Sequence, residues 1–375
     1  MKERMEPLRL DGFAGAEIPS VGPEKIALGR DPFADGPEID PLLDRLDLLG
    51  GPFAPERRTA RDLLGAASGP KLRVGTGAPR RRRRTTARAP RLKDVVSPPP
   101  RDWIDRLLGA DERRRMAALA KLVGPGAQRD RFGLSPEAVR RALPFFEAIY
   151  RRWFRVQSQG HEHLPVDGPG ILAANHAGLL PFDGAMTVLD VVLHTDPPRL
   201  PRALVDRFVG RLPWVRDFFA SVGQVVGTRA LFGELLDDGQ LVLVFPEGMD
   251  GIKKPIAQRY RLQGFRPGLV ELSLRHGAPI VPMAIAGSDD QAPILFDLAP
   301  LARRLGLPFL PVTPTFPWLG PLGLLPYPVR YRIVYGEPFA FHERYGPDAA
   351  DDPRLVRYLT QQVRSTVQRL LDGQR

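Results

Sequence analysis

An α/β fold is predicted by three features of this 375-residue chain. Beyond about residue 156, short apolar runs alternate with segments of helical periodicity, the pattern of strands and helices layered around a sheet. Two of those runs end in polar clusters, Asn175-His176 and Pro246-Glu247-Gly248, and an open α/β sheet places its chemistry at strand ends of this kind. The last segment repeats apolar residues along one helical face. With 43% hydrophobic residues the chain can bury a sizeable core, while 41 prolines and 37 glycines point to much loop, tail or irregular surface. Cysteine is absent, which excludes disulfides, thiolate nucleophiles, zinc–thiolate sites and iron–sulfur clusters.

Residues 1–100 read as a disordered tail. The opening MKERMEPLRL is charged and holds no apolar run of signal-peptide type, so a cytoplasmic protein is expected. Residues 1–70 carry nine basic and thirteen acidic side chains, whereas 71–94 carry ten basic and one acidic. The net charge of +11 therefore misleads as a property of the whole chain. Its source is a local tract centred on Arg80-Arg81-Arg82-Arg83-Arg84 and set among Gly, Ala, Thr and Pro. A solvated linker is the first reading of this tract. Anionic lipid headgroups come next, since each Lys or Arg near such a surface contributes about 1 kcal/mol. Nucleic acid is disfavoured, because no aromatic residues interleave with the arginines to stack on bases.

Residues 101–155 read as amphipathic helices. Asp102 to Leu122 has helical texture, and Ser135-Pro136-Glu137 then supplies an N-cap, a first-turn proline and an early acid. Val139, Leu143, Phe146, Tyr150, Trp153 and Phe154 recur at helical spacing, with Pro144 an expected kink, while Arg140, Arg141, Arg151, Arg152 and Arg155 crowd the remaining surface. Two readings fit equally: a membrane-surface anchor with aromatics in the headgroup region, or a helix packed on the core with a basic outer face.

Residues 156–375 carry the α/β pattern. Strands are expected at Gly170–Ala174, Gln240–Phe245, Pro279–Ala286 and Arg330–Tyr335. Helices are expected at Gly184–His194, Leu231–Asp238, Gly268–His276 and Pro353–Leu371, the last presenting Leu355, Leu359, Val363, Val367 and Leu370 on one face. Leu307 to Val329 is long, uncharged and apolar, but seven prolines exclude a spanning helix. It reads first as a buried loop over the core, and second as a lipid-touching or acyl-binding surface. His161-Glu162-His163 offers two alternating histidines with no third ligand near in sequence, so surface residues are expected and no metal.

A histidine titrates near neutrality and can take a proton from a hydroxyl, and a nearby carboxylate can fix its tautomer. His176 and Asp183 form such a pair. Taken alone the pair is weak evidence, but four ordered segments surround it. Asn175-His176-Ala177-Gly178-Leu179-Leu180-Pro181-Phe182-Asp183 comes first and Gly223-Gln224-Val225-Val226-Gly227-Thr228-Arg229 second. Phe245-Pro246-Glu247-Gly248 and Ile280-Val281-Pro282-Met283-Ala284 follow. As an ordered set over about 135–340 these resemble the phospholipid and glycerol acyltransferase family, which includes bacterial 1-acylglycerol-3-phosphate acyltransferases. One departure is visible: six residues separate His176 from Asp183, where the usual family form has four. The insert is expected to bulge outward and return the carboxylate to the imidazole.

The resemblance implies a single α/β acyltransferase domain over 156–375, with a mixed central sheet flanked by helices. It implies that His176 is the base and Asp183 its partner, and that Asn175, Gly223, Arg229, Phe245, Pro246, Glu247, Gly248 and Pro282 shape the substrate site. Arg229 would suit an acceptor phosphate and Glu247 free hydroxyls. No cofactor and no covalent acyl-enzyme is needed, in line with the absence of cysteine and of a G-x-S-x-G elbow. The implied partners are acyl-CoA or acyl carrier protein as donor, a lipid acceptor, and an anionic membrane surface on whose cytoplasmic face the protein sits peripherally. The acceptor is 1-acylglycerol-3-phosphate or a neutral lipid such as diacylglycerol. A nonenzymatic lipid-binding adapter on the same fold is the competing class. Lys253, Lys254, Arg259 and Arg261 read as a solvated basic face, with phosphate contact as the alternative.

Overall fold

The computed structural model describes residues 109–121, 127–206, 213–307 and 309–375. The expected tail and its basic tract at 71–94 lie outside the described residues.

Two helices come first, α1 (Ala110–Ala120) and α2 (Pro136–Ala148). Ser135 caps α2 by accepting from the Ala138 amide, and Pro136 occupies the first turn, where its missing N–H is no loss. Pro144 does not end the helix, which continues to Ala148 and loosens into a π-helical turn over Ile149–Trp153. β1 (Gln157–Gln159), β2 (Gly170–Ala174), α3 (Phe182–His194), β3 (Arg202–Val205) and α4 (Pro213–Ser221) follow. Next are β4 (Val225–Val226), α5 (Arg229–Asp237), β5 (Leu241–Val244), α6 (Gly268–His276) and β6 (Ile280–Ala286). β7 (Phe296–Asp297), α7 (Ala299–Arg304) and β8 (Pro311–Val312) form an excursion before β9 (Arg332–Tyr335) and the C-terminal α8 (Pro353–Asp372).

Seven strands make one mixed sheet in the order β1-β9-β6-β2-β5-β3-β4. β9 runs antiparallel to β6 and parallel to β1, while β6, β2, β5, β3 and β4 are mutually parallel. Side chains alternate across a strand, and β2 divides accordingly. Leu172 and Ala174 enter one core with Met186, Leu189, Leu143, Tyr150 and Phe154; Ile171 and Ala173 enter the other with Phe232, Leu235, Val270, Leu359 and Val363. α1, α2 and α3 thus cover one face, and α5, α6 and α8 the other. Of the residues expected on one face of α8, Leu359, Val363 and Val367 are buried, and Leu355 and Leu370 are partly buried at the rim.

Packing corrects the surface-anchor reading of α2 in part. Tyr150 and Phe154 are interior, Phe154 stacking on Tyr331 at 4.4 Å between ring centroids, so only Phe145 and Trp153 of the aromatics there stand exposed. Met116, Leu119, Leu134 and Leu143 share that core, so no packing boundary falls at residue 156. Among the described residues no helix is long and apolar enough to cross a membrane.

Candidate active site

From β2 the chain crosses through α3 to β3 on one side, and from the adjacent β5 it crosses back through α6 to β6 on the other. The carboxyl ends of β2 and β5 therefore form a topological switch point, where an open sheet leaves a crevice. Asn175, fully buried, closes the floor. Its Oδ1 accepts from the Ile285 amide at 2.7 Å and its Nδ2 donates to the Ile285 carbonyl at 3.2 Å, tying the end of β2 to the end of β6. His176 emerges just beyond. Its Nδ1 lies 2.6 Å from Asp183 Oδ2, a contact that suits an imidazole donating from Nδ1 to a carboxylate and leaving Nε2 turned away from it. Asp183 is itself buried and held by the Ala177 amide at 3.2 Å and the Gly184 amide at 2.8 Å. Phe245 stacks on the imidazole at 4.2 Å and 19°, fixing the ring plane.

The six residues between the pair bring Asp183 back against His176. Gly178 takes φ +96°, a conformation that strains other residues, and a Cβ there would have to displace the Gln291 side chain, whose Nε2 lies 1.9 Å from that position. Gln291 Nε2 donates to the Ala177 carbonyl at 3.0 Å, and α3 begins at Phe182, which puts Asp183 in its first turn facing back to His176.

The other predicted residues divide. Glu247 is buried, with Oε1 accepting from the His176 amide at 2.9 Å and Oε2 from the Gln263 amide at 2.6 Å. Both oxygens are thus engaged with backbone, and the residue acts as a clamp under His176 instead of offering a free carboxylate to acceptor hydroxyls. Pro246 accepts from the Arg266 amide at 3.0 Å, and Gly248 turns the chain at φ +56° against the Arg266 guanidinium. Gly223 (φ +89°) makes the turn into β4, where a Cβ would strike Leu200. Pro282 lies inside β6, opposite Ala173, and its carbonyl accepts from Gly336 where β9 turns away. Arg229, at the start of α5, is ion-paired with Glu271 of α6.

The basic cluster after Glu247 is only partly solvated. Lys254 is buried, 3.2 Å from Asp289 and 3.7 Å from Glu247. Burial pushes the Asp289 carboxyl above its usual range, and the ammonium of Lys254 opposes that rise. Sequence reading missed this, because Lys253 and Lys254 are alike in composition and differ only in which way the short helix at Met249–Ile252 aims them.

Against the dyad lies an apolar pocket of about 550 Å³. His176 and Phe245 line it beside Ala185, Val188, Leu189 and Val192 of α3, and α2, α4 and Phe309 supply further walls. The α3 residues recur at i, i+3, i+4 and i+7, one stripe of the helix whose first turn holds Asp183. α4 was not foreseen from the sequence.

His161 departs from the surface reading. Its Nε2 lies 3.2 Å from Asp190 Oδ2, and His194 Nδ1 lies 3.2 Å from Asp190 Oδ1. These ligand-type atoms fall within 4.8 Å of one another. The two imidazoles stack at 4.1 Å and 11°, however, so their in-plane lone pairs cannot converge on one ion. His194 Nδ1 also lies 2.8 Å from the Asp190 carbonyl as its donor. Asp190 accepts from Tyr150 at 2.5 Å, Ser158 at 2.6 Å and Tyr335 at 2.8 Å, making a closed hydrogen-bonded hub between α3, β1 and β9. His163 contributes separately, Nδ1 lying 2.9 Å from the Tyr335 carbonyl.

Fold and site together define an α/β protein with a histidine–aspartate dyad at its switch point and an apolar pocket against it. A family model described as Acyltransferase matches residues 155–286. An uncharacterized protein of Mycobacterium tuberculosis is 44% identical over 257 residues, covering 66% of this chain and 70% of that one. The "DGAT1/2-independent enzyme synthesizing storage lipids" of Gallus gallus is 22% identical over 222 residues, covering 59% and 60%. The crystal structure of the 1-acyl-sn-glycerophosphate (LPA) acyltransferase PlsC from Thermotoga maritima covers 62% of this chain and 80% of that one, with a TM-score of 0.40 and 17% identity. The chain belongs to the acyltransferase family.

Proposed function

We propose that this acyltransferase moves an acyl group from a thioester, acyl-CoA or an acyl carrier protein, to a hydroxyl of a glycerolipid acceptor, with His176 as general base. One observation carries the reading: an imidazole whose Nδ1 is bound to buried Asp183 stands on the wall of an apolar pocket of about 550 Å³. Nε2 takes the acceptor hydroxyl proton as the oxygen attacks the thioester carbonyl. The C–S bond then breaks, and the leaving thiolate takes the proton back from the imidazolium, whose charge Asp183 stabilises meanwhile. The acyl chain occupies the pocket. Incubating purified protein with labelled acyl-CoA and extracted lipids tests this: label should enter a glycerolipid with the native chain and not with His176→Ala.

A neutral acceptor is the second reading. Arg229, the residue suited to a phosphate, is already paired with Glu271, and a phosphorylated acceptor would have to compete with that carboxylate. The chicken relative's name, an enzyme synthesizing storage lipids, points the same way. Diacylglycerol and 1-acylglycerol-3-phosphate compared side by side separate the two. A drop in activity confined to the phosphorylated acceptor in Arg229→Ala would restore the phosphate reading.

A further inference from the structure

Between Gln291 and Arg330 the chain leaves the sheet and returns, and this excursion carries large apolar side chains on its outside. Trp318 is 74% exposed and Leu322 70%, and Phe296, Leu305, Leu319 and Leu325 are exposed with them. No charged residue occurs from Leu305 to Val329. An exposed apolar surface on this scale marks an interaction site. The excursion is not loosely attached. Tyr327 donates its amide to the Gln291 carbonyl at 2.7 Å, and Trp153 donates its indole N–H to the Pro326 carbonyl at 3.2 Å. Gln291 also touches the loop carrying His176, and Phe309 of the excursion lines the apolar pocket. Through Phe309 the excursion thus adjoins the pocket wall, where Phe145 and Phe218 are exposed as well.

We propose that this excursion is a lipid-docking surface, entering the outer part of a phospholipid bilayer and presenting the pocket to it. Three features favour lipid as the occupant. Seven prolines between Leu307 and Val329 remove amide donors that would otherwise need partners in an apolar phase, so shallow insertion leaves fewer polar groups unsatisfied. Arg303 and Arg304 end α7, and Arg152, Arg155 and Arg330 are exposed at the root, so cationic side chains border the apolar surface where lipid phosphates would lie. Adjacency to the pocket gives a lipid substrate a short path from the bilayer. This last step rests on the acyl-transfer reading; the docking itself does not.

The test uses the full chain carrying Trp103→Phe, Trp153→Phe and Trp214→Phe, which leaves Trp318 as the reporter, and vesicles of phosphatidylcholine with phosphatidylglycerol. Trp318 emission should shift to the blue and be quenched by lipids brominated on the acyl chain. In the otherwise native chain, Trp318→Ser with Leu322→Ser should lower vesicle partitioning at least about tenfold. Melting temperature and activity on detergent-dispersed acceptor should stay unchanged. An unquenched Trp318 on vesicle-bound protein overturns the proposal, whether or not the double variant folds. So does lipid-independent self-association that Trp318→Ser abolishes, which would make the surface an interface between copies. If quenching occurs but no acyl transfer is found with any lipid, the docking surface stands and the functional reading falls.

Discussion

At the scale of single residues, the site sets a partly buried imidazole in a buried frame. His176 contributes Nε2; Asp183, Phe245 and the Glu247 clamp hold it in place. His176→Ala should lower turnover by at least about 10²-fold while leaving the fold intact, as checked by steady-state kinetics and circular dichroism. Asp183→Asn should cost about as much, because the carboxylate sits 2.6 Å from Nδ1 in full burial and an amide there can present its N–H and invert the tautomer. Glu247→Gln removes an acceptor from beneath two backbone amides, so it should lower thermal stability and turnover without raising the Michaelis constant for the acceptor selectively. The dyad was legible in the sequence because His176 follows a strand end and the pair falls within an ordered set of four segments, even though six residues separate its members where the usual family form has four. The role of Glu247 was not: spacing places a carboxylate near the base, but which of its oxygens backbone amides occupy depends on Gln263, sixteen positions away in sequence.

Elements set the shape of the pocket. Since Ala185, Val188, Leu189 and Val192 share one stripe of α3, and a helix rises about 1.5 Å per residue, Val192 lies farther along the pocket wall from the dyad than Ala185. Val192→Phe should therefore shift preference to shorter acyl donors with little change for the shortest, whereas Ala185→Phe should depress all donors; competition between thioesters of different chain length checks both. The same helix carries Asp190 on another face. Burial would raise this carboxyl, but hydrogen bonds from His161, His194, Ser158 and Tyr150 outweigh it and hold the group well below the usual carboxylate range. A depressed folded pKa gives stability that is present at neutral pH and is lost as the medium falls through the carboxylate range toward the folded value. The hydrogen bond to Asp190 raises His194, whose contribution is full below the ordinary histidine value and declines above it. Asp190→Asn should cost about 3–5 kcal/mol in urea unfolding near neutrality and less near pH 4. β2, β5, β6, α6 and α8 were readable within a residue or two, because each is a long apolar run or a strongly periodic segment. β1, β3 and β4 were not, being two to four residues long without a marked apolar run; β1 and β4 are the sheet edges, and β3 pairs between β5 and β4. Likewise, no local pattern separates Tyr150 and Phe154 facing the core from the same residues facing lipid, since both readings want one apolar helical face.

For the molecule as a whole, an acyltransferase whose proposed acceptor is a lipid has to dwell at a surface, and no described helix is long and apolar enough to cross one. The two features proposed to supply attraction differ in kind. The apolar excursion at 291–330 would act through buried area, which salt leaves untouched, and the tract at 71–94, ten basic residues against one acidic, would act through charge, which salt screens beyond about 10 Å at 0.1 M. The tract lies outside the described residues, and the two described cores draw on residues from Met116 to Leu371. Removing residues 1–95 should therefore separate the two contributions. The truncated protein should keep its melting temperature and its turnover on detergent-dispersed acceptor. Its binding to vesicles of phosphatidylcholine alone should match that of the full chain, while the gain that phosphatidylglycerol confers at low salt should shrink markedly. Flotation at two salt concentrations measures both effects. If the truncated protein keeps the full salt-dependent gain, the charge attraction belongs to Arg152, Arg155, Arg303, Arg304 and Arg330 around the excursion, and the tract serves another purpose.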